Sequence, residues 1–299
     1  MNMDTTVALL DRIAPNPGLH DTPLAGVQVF RVVEPVRRAP GLYPTSVCAL
    51  FQGSKRVYYD GAVHRYDPHR YLCNAMPLPV EAEVSEASPE EPVIGLLVSL
   101  DTPAMAETLV AYETSPVGIR SGAEPSGPGL MVAPWDPEFR VAACRLVEAL
   151  ADPVARHVVG SARLRDLLFA VLRGPGGAIL RERVGKGNGI GRIVRHVRDH
   201  LAEPMAVDDL ARQAGMSRAV FHRRFKEATA QSPLQFIKAL RLNGAAMLIT
   251  QGLSVGAAAT RVGYANASQF SREFRRAFGR APSEWRASNA ELDIQAAMP

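Results

Sequence analysis

An α+β protein of two domains is what this sequence predicts: a small antiparallel β-barrel with flanking helices, followed by an all-α unit. Three observations carry that expectation. Short β-rich runs punctuated by Pro, Gly and Asp fill the first hundred residues. Apolar residues fall at helical spacing from residue 137 onward. A pattern of Ala, three residues, Gly and then an aromatic, basic segment occurs twice, at Ala211/Gly215 and Ala259/Gly263. The offset is 48 residues at the glycines and 49 at Phe225 and Phe274, so the second turn gains one residue while one supersecondary unit is used twice.

With 299 residues the chain is long enough for two cores, and 47% hydrophobic with 21% charged residues is the composition of a folded chain. No apolar run approaches the roughly 18 residues of a membrane span. The start, with acids at Asp4 and Asp11 and no basic lead into an apolar stretch, is not that of a secretory leader, and a cytoplasmic location is expected. The charge is divided unevenly. Residues 187–299 hold 16 Lys+Arg against 9 Asp+Glu, whereas residues 1–186 hold 18 against 21. A basic back half behind an acidic front fits a nucleic-acid-binding domain joined to one of another kind.

Taken in order, residues 7–13 predict a short amphipathic helix. Strands follow at 27–33, 46–53, 55–67, 70–75, 80–84 and 93–101. The clearest turn is Tyr59-Asp60-Gly61-Ala62, because Asp-Gly supplies the positive φ angles of a tight hairpin. The barrel is expected to close around a pocket. His64 and His69 are five residues apart and point to opposite faces of a strand, so no joint metal ligation is expected, and neither is a cofactor. Cys48, Cys73 and Cys144 are far apart, which excludes a disulfide framework and reads first as three small buried apolar groups. The sharper alternative is a thiolate that senses oxidants or electrophiles, since Arg70 precedes Cys73 by three residues and Arg145 follows Cys144.

From Pro137 the stripe Phe139, Ala142, Ala143, Leu146, Val147 and Leu150 predicts a helix capped by Asp136, and a second helix is expected over 161–172. The helical segment 137–173 serves either to cover the barrel or to pair two chains as a homodimer. Residues 185–189, Gly-Lys-Gly-Asn-Gly, read as a linker between a first domain of 1–184 and a second of 190–289, with a tail at 290–299.

The second domain holds two helix-turn-helix units, at 207–228 and 255–278. In each, a small alanine permits the close helix crossing, a glycine makes the turn, and Ser217 or Asn266 caps the next helix. Phe221 and Phe225, then Phe270, Phe274 and Phe278, face inward. The helix between the units begins at Ser232-Pro233 and runs to about Thr250. Its 18 residues reach about 27 Å, which holds the units near one DNA turn, roughly 34 Å, apart. Gly244 in its middle costs about 1 kcal/mol against Ala.

Gly263-Tyr264, Phe270-Ser271-Arg272, Phe274-Arg275, Phe278-Gly279, Pro282 and Trp285-Arg286 resemble the signature of the AraC/XylS family of bacterial transcription regulators. The resemblance covers about residues 189–288, and the front half resembles the cupin-like regulatory domain of an AraC-type subgroup. It implies a cupin-like barrel, double-stranded promoter DNA and RNA polymerase as partners, an unknown small-molecule effector, no membrane and no catalytic residues. It also implies activation rather than repression. Carried to matching positions, the DNA-binding residues are Arg218, Ala219, His222, Arg223 and Lys226 in the first unit. In the second they are Ala267, Ser268, Gln269, Ser271, Arg272 and Arg276. The first unit, with the stronger basic face, is expected to lean more on phosphate attraction. The rival class is a cupin-type enzyme with autoregulatory DNA binding, which requires a catalytic constellation.

Overall fold

Residues 3–115, 128–184 and 189–289 are described by a computed structural model. The front half begins with α1 (Met3–Ile13), β1 (Gly18–Asp21), β2 (Val27–Val32), β3 (Val36–Tyr43), β4 (Ser46–Gln52) and β5 (Lys55–Tyr59). It continues with β6 (Ala62–Tyr66), β7 (Arg70–Asn74), β8 (Leu78–Val84), β9 (Val93–Ser99), α2 (Pro103–Glu113), β10 (Leu130–Pro134), α3 (Pro137–Ala151), α4 (Pro153–Arg173) and α5 (Gly177–Val184). The strands form two antiparallel sheets, β1-β2-β9-β4-β7-β10 and β3-β8-β5-β6. Alternation along β4 shows how they are used. Cys48 and Leu50 join the apolar cluster between the sheets, while Val47, Ala49 and Phe51 join the one that seats the helices. Central strand β4, covered on both sides, is therefore buried at every position but its last.

The expected pocket inside the barrel is filled with side chains: Phe30, Tyr43, Tyr66 and Lys55 are each no more than 1% exposed. The Asp60-Gly61 turn forms as expected, with φ of 50° and 74°, joining β5 to β6 in the register Tyr59↔Ala62. Five elements of the front half go beyond the sequence reading: β1, β3, β10, α2 and α5. Strand β3 contains Pro40 and Gly41 and carries a register shift between Val36 and Ala39, features that mask a period of two. Helix α3 starts where Asp136 caps it, its carboxylate accepting the Phe139 N–H at 2.8 Å. Helix α4 starts at Pro153, eight residues earlier than expected, because its first two turns expose Val154 and Val158 and show no inward stripe. The two helices pack on each other, and both join the apolar cluster on that side of the six-stranded sheet.

The back half is helical: α6 (Gly189–Asp199), α7 (Val207–Gln213), α8 (Arg218–Thr229), α9 (Pro233–Thr250), α10 (Val255–Arg261), α11 (Ala267–Phe278) and α12 (Pro282–Asn289). Gly189 of the expected linker is the first residue of α6; residues 185–188, and the tail at 290–299, lie outside the described residues. Helix α9 carries a full capping box, Ser232 with Gln235. Helix α12, unforeseen, brings Trp285 against Phe274 and Phe278 at ring distances of 5.5 and 5.1 Å. The halves meet where α9 packs on β3 and β8. Beside that contact, Asp101 faces Arg195 and Arg198 of α6 at 4.0 and 3.9 Å.

Candidate nucleic-acid interface

Each unit is built by burying a phenylalanine pair. Phe221 and Phe225 are fully buried, 5.4 Å apart, and Phe225 meets Phe236 of α9 edge-on. This fixes the rotation of α8 about its axis, so the opposite side must face outward. Gly215 (φ 68°) makes the turn before it, and the Ser217 hydroxyl accepts from the Val220 N–H. Arg218, Ala219, Arg223 and Lys226 are exposed and His222 is half-buried. Arg218 is not free: its guanidinium lies 3.4 Å from the Asp208 carboxylate of α7.

Helix α11 repeats the construction. Phe270 and Phe274 are fully buried, Gly263 (φ 88°) makes the turn, and Asn266 accepts from the Gln269 N–H at 2.9 Å. A Cβ at Gly263 stands 2.6 Å from the Leu201 carbonyl oxygen, so glycine is required there for space as well as for φ. Ala267, Ser268, Gln269, Arg272 and Arg276 are exposed, with Ser271 half-buried. Expected to be inward, Phe278 is only half-buried. Arg276 also borders a cleft of about 550 Å³ whose other wall is Tyr58, Asp60 and Glu81 of the front half. The sequence reading passed over Arg275, which is exposed and shares the face of Ser268 and Arg272 at positions i+7 and i+3. That spacing was available as a signal.

One acid holds α11 in place. Glu273 accepts from Lys238 of α9 and from the Tyr264 hydroxyl, each at 2.8 Å, and from Gln269 at 3.4 Å. Burial works to raise its pKa, but the donors, Lys238 first, outweigh it and hold the carboxyl below its ordinary value. Gln269 is thus partly engaged before any base is met.

The cysteines fall differently from the sharper expectation. Cys48, Cys73 and Cys144 are 1%, 0% and 7% exposed. Burial pushes the Cys48 thiol up, against the pull of Lys55, and pushes Cys73 up to about 12. A sensing thiol needs access and a lowered pKa; Cys48 and Cys73 are instead buried with raised thiols, as small apolar core groups are. Cys144 accepts a hydrogen bond from buried Thr6, at 3.7 Å, and is closed off as well. His64 stands half-buried on β6, and His69 is exposed in the turn before β7. More distinctive is Lys55, buried beside the rings of Phe30 and Tyr43 at 4.9 and 5.9 Å. Burial draws its ammonium down to about 8, against the opposing effect of Cys48. Its signal in the sequence was the alternation Lys55, Val57, Tyr59, which places all three on the inner face of β5.

A double helix-turn-helix with outward polar faces, packed against an antiparallel sensor-like barrel, defines a class of two-domain transcription regulators. Residues 23–179 match the family model for the AraC-type transcriptional regulator N-terminus, and residues 210–288 match a helix-turn-helix domain. The chain belongs to the AraC-type transcriptional regulators. Among similar proteins, the RCS-specific HTH-type transcriptional activator RclR of Escherichia coli K12 is 35% identical over 98 residues. The match covers 32% of this chain and 34% of RclR. Regulatory protein SoxS of Salmonella typhimurium is 33% identical over 95 residues, covering 31% of this chain and 89% of SoxS. The chain therefore spans about a third of RclR but most of SoxS. The solved structure of unsaturated fatty acid bound ToxT from Vibrio cholerae has a TM-score of 0.56 over 87% of this chain and 93% of ToxT. At 13% identity that likeness is one of fold.

Proposed function

We propose that this protein is a sequence-specific activator of transcription that binds double-stranded promoter DNA and answers to a small-molecule effector. In this reading residues 1–184 are the regulatory domain, 185–189 the linker, and 190–289 the DNA-binding domain. Its units at 207–228 and 255–278 lie in successive major grooves. The observation that carries it is the pair α8 and α11. Each buries two phenylalanines and turns a polar, basic face outward, and an 18-residue helix separates them. Arg223 and Arg272 contact guanines, whose O6 and N7 suit a guanidinium; the other named side chains and Arg275 supply finer discrimination and phosphate contacts.

Activation is supported by the name of RclR, and a small-molecule effector by the fatty acid in ToxT. An activator of this kind works in the cytoplasm through RNA polymerase. No helix among the described residues is long and apolar enough to cross a membrane. The protein acts on DNA rather than as an enzyme, a reading supported by relatives that are transcription regulators. A homodimer through α4 is supported by Val154 and Val158, 72% and 71% exposed one turn apart, and is checked by sedimentation of Val158→Glu beside the native chain. Selection from a randomised duplex library is the deciding experiment: two enriched half-sites about one helical turn apart are expected. Equal affinity for selected and random duplex at matched salt sinks the reading in favour of a nonspecific architectural binder.

A further inference from the structure

The two reading helices end differently, and the difference is written in the repeat. The 49-residue offset that aligns Phe225 with Phe274 aligns Ala230 with Gly279. Gly279 takes a left-handed φ of 74°, and its N–H closes back on the Arg275 carbonyl at 2.8 Å. That is how a helix ordinarily satisfies its last carbonyls. Ala230 takes the same left-handed region, φ 56°, where an L side chain is crowded and a glycine is not. Among the described residues no backbone bond from the Ala230 N–H closes the end of α8.

The missing donors come from the other domain. The Tyr59 hydroxyl donates to the Thr229 carbonyl, 170 residues away in sequence. The Gly129 N–H donates to the Ala228 carbonyl at 2.8 Å. Tyr59 is 3% exposed and Thr229 fully buried, so neither bond is exchanged cheaply for water. The Thr229 hydroxyl turns back to the Phe225 carbonyl at 2.8 Å, completing the turn. Helix α11 ends itself; α8 is ended by the barrel.

We propose that Tyr59 is a positioning residue for DNA reading: it caps α8 from the regulatory domain and sets the last turn of the first reading helix. The proposal rests on the reading of α8 as a base reader. It also makes the route between the domains specific. Tyr59 shares the inner face of β5 with Lys55 and Val57, so a displacement of that strand reaches α8 directly through this bond.

The test uses the full chain carrying Tyr59→Phe, which keeps the ring and removes the hydroxyl. Amide exchange is followed over residues 226–231, and affinity is measured on duplexes in which one half-site at a time is scrambled. Expected are faster exchange in that segment and a loss of about 3- to 10-fold in affinity through the first unit's half-site, the range set by one hydrogen bond. The second unit's half-site keeps its affinity. Adding Ala230→Gly, which lets α8 close as α11 does, restores both readings. Unchanged exchange, equal losses at both half-sites, or failure of Ala230→Gly to rescue each overturns the proposal. Arg223→Ala is measured in parallel. If it leaves the first half-site preference intact, the reading of α8 fails, and with it the DNA half of this proposal, while the exchange arm separately decides the cap.

Discussion

Arg223 and Gly244 show how differently single positions bear on the molecule. Arg223 is exposed on the outward side of α8 and engaged by no ion pair among the described residues, unlike Arg218. Its replacement by alanine is expected to cost about 1–3 kcal/mol of specific binding and relax the preference at one base pair, read from a randomised-duplex selection. Gly244 sits mid-helix with no positive φ to justify it, and a Cβ there meets only Val262 Cγ1, at 3.5 Å, an ordinary contact. Gly244→Ala should therefore raise stability by about 1 kcal/mol in denaturant titration, and a loss means the α9–α10 contact is tighter than this spacing implies. Lys55 links a residue to pH. Below about pH 8 the folded and unfolded chains both hold its proton, and the cost of the buried charge is constant. Between about 8 and the ordinary 10.5, the folded chain sheds a proton that the unfolded chain keeps, so this group adds stability as pH rises. The raised Cys48 thiol works in the opposite sense at the upper end, so the comparison is made against Lys55→Met. Melting curves at pH 7 to 10 should show the native chain gaining on the variant above pH 8. Parallel trends refute the burial of a charged Lys55.

At the scale of elements, the helices of the back half were legible because caps, turns and apolar period agree. Helix α9 begins and ends where Ser232-Pro233 and the apolar stripe place it. Strand β3 was hidden by Pro40, Gly41 and its bulge, and the front of α4 by exposed valines, since pattern reading sees only what is buried. The reading faces were legible for the same reason as the helices: fixing Phe221 and Phe225 inward dictates what points out. The α8 cap was not, because it joins residues 170 apart and no local pattern carries such a contact. Ion pairing also bears on how the basic positions of the two units act. Arg218 is answered by Asp208, whereas Arg272, Arg275, Arg276 and Arg280 are exposed on or beside α11. Each phosphate contact contributes about 0.9 to the slope of log affinity against log salt. Arg272→Ala should lower that slope by about one and Arg218→Ala by clearly less, because Asp208 already answers Arg218. Equal reductions from the two variants would mean that Asp208 yields Arg218 to the phosphate, and Arg223→Ala measured beside Arg272→Ala decides which unit leans more on phosphate attraction.

For the whole molecule, what matters is which cores are continuous. One apolar cluster runs from the space between the sheets, through Val57, Tyr59 and Leu130, into Ile193, Phe221, Phe225 and the first half of α9 at Phe236, Ile237 and Leu240. A separate cluster holds the second half of α9, from Leu242 to Ile249, with Phe270, Phe274 and Trp285. Helix α9 is thus shared: its N-terminal turns belong to the barrel and first unit, its C-terminal turns to the second unit. Cooperative unfolding follows shared burial, so residues whose side chains pack in one cluster open together. The first unit should therefore open with the barrel, although it lies in the other half of the chain, and the second unit should open by itself at lower free energy. Its own core is smaller, and Lys238–Glu273 is a principal polar tie from α11 to α9. Because Glu273 is held below its ordinary pKa, its contribution is present at neutral pH and lost as pH falls through that lowered value. Acid should consequently release the second unit first. Native-state amide exchange in rising denaturant, at pH 7 and near pH 4, measures this directly. Amides around Phe270 and Phe274 are expected to exchange at lower denaturant than those around Phe221 and Phe225, which should follow the barrel strands, with the gap widening in acid. Coincident behaviour of the two units at both pH values would mean that α9 transmits order along its length and that the regulatory domain grips both readers alike.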